Sequence, residues 1–135
     1  MLDGQTNYLA IVAVAIINNI LGAIWYSSKV FGKSWAKACK IEMGKKKAGA
    51  KHFLGGLLMS LIMAAAVSCL VIKLDLTMVS EGIKLGILLW LGFIATSQFC
   101  GVIWAKKPLK VYLIDAGFYL ASLLIMGAIL ATWRL

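Results

Sequence analysis

At 135 residues the chain has the length of one domain, but 62% of it is hydrophobic and only 14% is charged. Soluble domains carry about 25% charged residues, so this balance excludes an ordinary water-soluble core and points to lipid as the solvent. The net charge of +9 raises nucleic acid as a partner, yet the basic residues are distributed as a topology signal rather than as a reading surface.

Four apolar runs are each long enough to cross a hydrocarbon core about 30 Å thick at about 1.5 Å rise per residue. They lie between Tyr8 and Tyr26, Phe53 and Leu74, Ile83 and Trp104, and Val111 and Trp133. Helices over about 8–27, 53–74, 83–105 and 110–133 are expected, forming a single all-α transmembrane domain over 1–135. The start of the chain, Met1 to Thr6, has Asp3 and no Lys or Arg. It lacks the positive segment of a cleaved signal peptide, so the first run is read as a retained helix.

Lys29, Lys33, Lys37, Lys40, Lys45, Lys46, Lys47 and Lys51 fall between the first and second runs, and Lys106, Lys107 and Lys110 between the third and fourth. Only Lys73, Lys84 and Arg134 fall on the other side. The positive-inside rule therefore puts both lysine-rich loops in the cytoplasm and both termini outside. The same lysines predict attraction to anionic lipid head groups, and no nucleic acid is expected as a partner.

After the first run, Ser34 can cap a short helix with Trp35, Ala38 and Cys39 on one side and Lys33, Lys37 and Lys40 on another, suited to lie in the interface with its apolar side in lipid. Gly44 to Ala50 reads as a mobile basic turn. Gly32-Lys33-Ser34 is not a phosphate loop, because that motif needs a glycine where Ser27 stands and a strand where an apolar helix is expected.

Sliding the third run onto the first so that Gly22 falls on Gly101 also aligns Ile24 with Ile103, Trp25 with Trp104, Asn18 with Ser97 and Asn19 with Gln98. The pattern suggests two parallel helical hairpin repeats, related by an axis along the membrane normal. Asn18, Gly22 and Trp25 share one helical stripe, and Ser97, Gly101 and Trp104 share another.

These polar side chains, Asn18, Asn19, Ser97 and Gln98, together with Asp115, form the candidate intramembrane polar site. They act either as interhelical hydrogen-bonding groups or as the lining of a midplane cavity. Asp115 is the sole carboxylate well inside a run and lies about 10 Å beyond Pro108 by helical rise. There it can be paired with Lys106, Lys107 or Lys29, or it can serve binding or proton-linked chemistry. Tyr112, Asp115, Tyr119 and Ser122 make a polar stripe that should face the bundle.

Small residues four apart mark expected close helix contacts at Gly82 and Gly86, Gly92 and Thr96, Gly117 and Ala121, and Gly127 and Ala131. Four helices leave little room for an internal channel, so a pore would need a homo-oligomer. Cys39, Cys69 and Cys100 have no paired spacing, and His52 stands alone, so neither a disulfide framework nor a metal site is expected. Nor do the residues assemble a catalytic set or a cofactor turn; no enzyme and no cofactor are expected.

The run from Gly22 to Trp35, with Trp25, Tyr26, Phe31, Gly32, Lys33 and Trp35 as its most specific positions, resembles the bacterial membrane family called domain of unknown function 1761. Ile114 to Tyr119 and Gly127 to Trp133 extend the resemblance over nearly the whole chain, with a departure at Ser28-Lys29. The resemblance implies a four-helix bacterial inner-membrane protein and brings no activity. It makes those six residues a candidate cytoplasmic interface signature, read either as an aromatic belt with a turn glycine or as a dock beneath Asp115. Two roles remain open. One is a non-catalytic scaffold or accessory subunit that binds lipid or a partner protein; the alternative is an oligomeric small-solute or proton-linked transporter or channel with a polar midplane site. The scaffold is the less demanding of the two.

Overall fold

The computed structural model describes residues 6–39 and 50–133, and among them there are helices and no strand. Met1 to Gln5, the basic stretch 40–49 that includes all of the expected mobile turn but Ala50, and Arg134 with Leu135 lie outside the described residues; Ala50 opens α3. The helices are α1 (Tyr8–Trp25), α2 (Gly32–Cys39), α3 (Ala50–Lys73), α4 (Val79–Leu89), a π-helical segment (Trp90–Ala95), α5 (Thr96–Trp104) and α6 (Leu109–Thr132). α4, the π-helical segment and α5 run on as one span, so four helices are long and apolar enough to cross a membrane. The helical form follows from the sequence, because in hydrocarbon each backbone N–H and C=O must be paired within its own segment.

The helix ends show how local chemistry sets the boundaries. Asn7 caps α1 by accepting from the Ala10 N–H at 3.1 Å, and its amide donates to the carbonyl of Trp133 at 3.1 Å, tying the start of α1 to the end of α6. The third span begins at Val79 rather than near Ile83. Glu81 lies inside the first turn, where its carboxylate accepts from the Thr77 and Met78 N–H groups at 3.2 and 3.1 Å. Pro108 stands immediately before α6, as its N-cap. α2 starts at Gly32, so Ser34 lies within its first turn rather than capping it.

The core occupies the half of the bundle away from the lysine-rich loops. Val14 of α1, Val67 and Val71 of α3, Leu85 of α4, and Met126 and Leu130 of α6 form one buried cluster. Backbones come closest where α4 crosses α6. A Cβ added to Gly82 would sit 2.0 Å from the Gly127 carbonyl oxygen, and one on Gly86 would sit 2.6 Å from that of Leu123. Without a water-driven hydrophobic force between helices in lipid, such close packing is a main source of cohesion. The expected contacts at Gly82, Gly86 and Gly127 are therefore present. Gly92 differs, since no atom outside its own helix lies within 4 Å of its Cβ position.

α6 packs against α1, α3 and α4, and α2 also rests on it. The side of α2 that carries Gly32 and Ala36 is buried, while Lys33 and Lys37 are exposed. Its apolar side is thus turned to the end of the bundle, not only toward lipid.

Candidate functional site

The turn that joins α1 to α2 is built on close backbone approach. Gly32 N–H donates to the Ser27 carbonyl at 2.9 Å, and a Cβ at Gly32 would sit 2.2 Å from the Tyr26 carbonyl oxygen. Only a residue without a side chain fits there, which gives the glycine of the signature a structural reason. The turn folds four aromatic residues over the end of α6. Trp25 lies 4.9 Å from Phe31 between ring centroids, and Tyr26 meets Trp35 and Phe118 edge-on, each at 5.6 Å.

Asp115 is held from several sides. Tyr26 donates its hydroxyl to the carboxylate at 2.5 Å. On the backbone at either side of it, the Trp25 indole N–H donates to the Ile114 carbonyl at 3.0 Å, and the Trp90 indole N–H donates to the Ala116 carbonyl at 2.7 Å. Two indoles from different spans thus clamp the turn of α6 that carries the carboxylate. Trp25 also packs at Gly117, where a Cβ would meet its ring at 3.3 Å.

Asp115 opens into a polar recess of about 390 Å³ lined by Ser97, Gln98, Lys107, Tyr112 and Tyr119. Lys107 arrives there through the shape of the α5–α6 turn. Lys106 adopts a left-handed conformation with φ of 54°, and the N–H groups of Ala105 and Lys107 both donate to the Gly101 carbonyl, at 3.1 and 3.2 Å. The chain doubles back and lays the lysine stem over Gly101, whose Cβ position lies 3.3 Å from the Lys107 Cδ. Tyr112 donates to the Ala95 carbonyl at 3.2 Å, in the last turn of the π-helical segment. Such segments re-aim the residues beside them. Here Ser97 and Gln98 lie in the first turn of α5, which follows it.

The five candidate polar residues do not share one cavity. Ser97, Gln98 and Asp115 line the recess, whereas Asn18 and Asn19 line a separate groove of about 960 Å³ between α1 and α3. Asn18 is 8% exposed and donates its amide to Ser60 Oγ at 2.8 Å. Asn19 donates to the Phe53 carbonyl at 3.4 Å, and the Ser97 hydroxyl donates to its own helix at the Phe93 carbonyl. Tyr26 and Tyr119 border both spaces.

The signature residues divide in the same way. Trp25, Tyr26 and Trp35 converge on the Asp115 turn, while Lys33 is exposed and does not line the recess. The positions paired by the internal repeat also differ in their surroundings. Trp25 is partly buried and hydrogen-bonded, whereas Trp104 is 83% exposed. Sequence reasoning passed over Trp90, Phe118 and Ser60, and took Lys107 only as one of several lysines. No local motif marks them, since each is a common residue of membrane spans.

Cys39, at the end of α2, has a thiol raised above its usual range by burial first and then by the Asp115 carboxylate, with Lys107 opposing. Among the described residues no three His, Cys, Asp or Glu side chains gather into a metal-ligand group.

These features define a multi-pass, all-helical membrane protein with a polar recess around the Asp115 carboxylate. Residues 9–131 match the family described as protein of unknown function (DUF1761), and the chain belongs to that family. No curated protein and no solved structure matches it.

Proposed function

We propose that the recess beside Asp115 binds a small solute carrying both an ammonium and an anionic group, and that this protein handles the solute without catalysing its conversion. The observation that carries this reading is the pairing of Asp115 and Lys107 across one recess of about 390 Å³, with Gln98 and Tyr112 among its walls. Opposite charges on one recess, Asp115 from α6 and Lys107 from the α5–α6 turn, reward a ligand that satisfies both over one that satisfies only one. Small-ligand sites between membrane helices are built on convergent polar groups of this kind.

The setting is a bacterial inner membrane with the lysine-rich loops in the cytoplasm and both termini outside, on the charge distribution of the loops. The recess then faces the cytoplasmic side, while the packed cluster around Val14 and Met126 lies toward the other. Of the two roles that the sequence leaves open, solute handling is the one that this recess supports.

The test uses the purified protein in nanodiscs and its thermal unfolding midpoint with amino acids and betaines, against simple amines and simple carboxylates. Zwitterions are expected to raise the midpoint, and Asp115→Asn and Lys107→Ala each to abolish the rise. An equal response to simple amines, or no response to any solute, overturns the reading. In the latter case, a stoichiometric foreign partner after native-detergent purification would favour the scaffold or accessory role. Flux of the stabilising solute in proteoliposomes then separates a transporter from a binding subunit.

A further inference from the structure

Three hydroxyl-bearing side chains that line the recess with Asp115, those of Tyr26, Tyr112 and Ser97, each have the hydroxyl hydrogen engaged. Tyr26 donates to Asp115 Oδ1 at 2.5 Å, Tyr112 donates to the Ala95 carbonyl at 3.2 Å, and Ser97 donates to the Phe93 carbonyl. Phe93 and Ala95 both belong to the π-helical segment, so its carbonyls hold the Ser97 and Tyr112 hydroxyls in place. A hydroxyl has one hydrogen and two lone pairs, and once the hydrogen is engaged it can only accept. Around the carboxylate the recess therefore offers lone pairs.

The rings of its tyrosines are occupied in another direction. Tyr26 packs on Trp35 at 5.6 Å, Tyr112 on Phe99 at 5.3 Å and Tyr119 on Phe118 at 5.3 Å, and none of these three partners lines the recess. A quaternary ammonium is recognised through aromatic faces gathered around it. Here the rings are packed against neighbours outside the recess, and the Tyr26 and Tyr112 oxygens are fixed as acceptors.

A primary and a quaternary ammonium satisfy the charge of Asp115 alike, but they differ in hydrogens. The quaternary group has no N–H and leaves the acceptors around it without donors, which is costly once water is displaced. The primary group has three N–H donors.

We propose that the recess selects a primary ammonium over a fully methylated one, so that its solute is an amino acid rather than a betaine. This inference rests on the solute reading above. Asp115 takes the charge and one N–H, Ser97 and Tyr112 are specificity-determining residues that accept the other two, and Lys107 takes the anionic group.

The test is the unfolding midpoint of the full chain in nanodiscs, titrated with valine and with glycine betaine. The two are isomers with the same charges, one with three N–H groups and the other with none. Valine is expected to bind more tightly by about tenfold or more, the factor that one hydrogen bond to a charged group contributes. Ser97→Ala, at an exposed position, should weaken valine several-fold and leave betaine unchanged. Tyr112→Phe should do the same. Equal affinities, tighter binding of betaine, or a Ser97→Ala variant that weakens both alike overturns the proposal and leaves the solute reading standing. A midpoint that no zwitterion moves overturns both.

Discussion

The hydroxyl of Tyr26, the C-cap residue of α1, donates to Oδ1 of Asp115, two turns inside α6, at 2.5 Å. The bond crosses between two spans that are far apart in sequence and closes the lysine-rich end of the bundle. Tyr26 is itself held edge-on by Trp35 of α2 and Phe118 of α6. Its position is therefore set by aromatic packing, and the hydroxyl is preorganised toward the carboxylate.

Replacing Tyr26 with Phe should keep the ring contacts and delete this one bond. A hydrogen bond to a charged group contributes about 1.5–3 kcal/mol in water-soluble proteins, and interhelical bonds in membranes average about 0.6 kcal/mol. A stability loss of about 1–2 kcal/mol is expected for Tyr26→Phe, read from reversible unfolding in mixed micelles. Asp115→Ala should cost at least as much. Equal stability of wild type and Tyr26→Phe would show that the bond contributes nothing net.

The α4–α6 crossing makes a sharper prediction, because small residues that look alike in sequence differ in space. Gly82→Ala would drive a methyl group against the Gly127 carbonyl, 2.0 Å away, so the helices must separate and the packing of Leu85 on Met126 must loosen. Overpacking of this kind typically costs about 1–3 kcal/mol. Gly92→Ala meets open space, and with its better helix propensity it should be neutral or slightly stabilising. Thermal unfolding of the two variants, with size-exclusion profiles to confirm dispersity, should rank Gly92→Ala at or above wild type and Gly82→Ala well below it.

The spans were legible because lipid imposes a length and an apolar content that few other environments demand. Asp115 was legible because it is the one carboxylate well inside a run. What periodicity does not specify is the rotation of each helix about its axis. Asn19 and Gln98 occupy matching positions in their spans, yet they face different spaces, because the Gly82–Gly127 contact and the π-helical turn at Trp90–Ala95 set the rotation of the third span. The same rotation leaves Trp104 out in the surround, while Trp90 reaches the Ala116 carbonyl. Lys107 could not be singled out from its neighbours, because its approach depends on the left-handed backbone of Lys106.

The thiol of Cys39 reports on the electrostatics of the recess from outside the spans. Its pKa is raised by burial and, second, by the Asp115 carboxylate, with Lys107 acting in the opposite direction. A raised thiol pKa lowers the thiolate fraction at any given pH below it, and the thiolate is the nucleophile. In a background with Cys69 and Cys100 changed to Ser, iodoacetamide labelling of Cys39 should therefore follow a pH profile displaced upward from that of a free thiol. Asp115→Asn removes a negative charge that disfavours the thiolate, so the profile should move part of the way back down; burial, the larger cause, remains. Lys107→Ala removes a positive charge that favours the thiolate, so the profile should move further up. Opposite displacements in the two variants require both charges to be felt at the end of α2. Profiles that coincide with the parent in both variants would mean that neither charge reaches Cys39, and that the pairing of Asp115 with Lys107 does not shape the field of the recess.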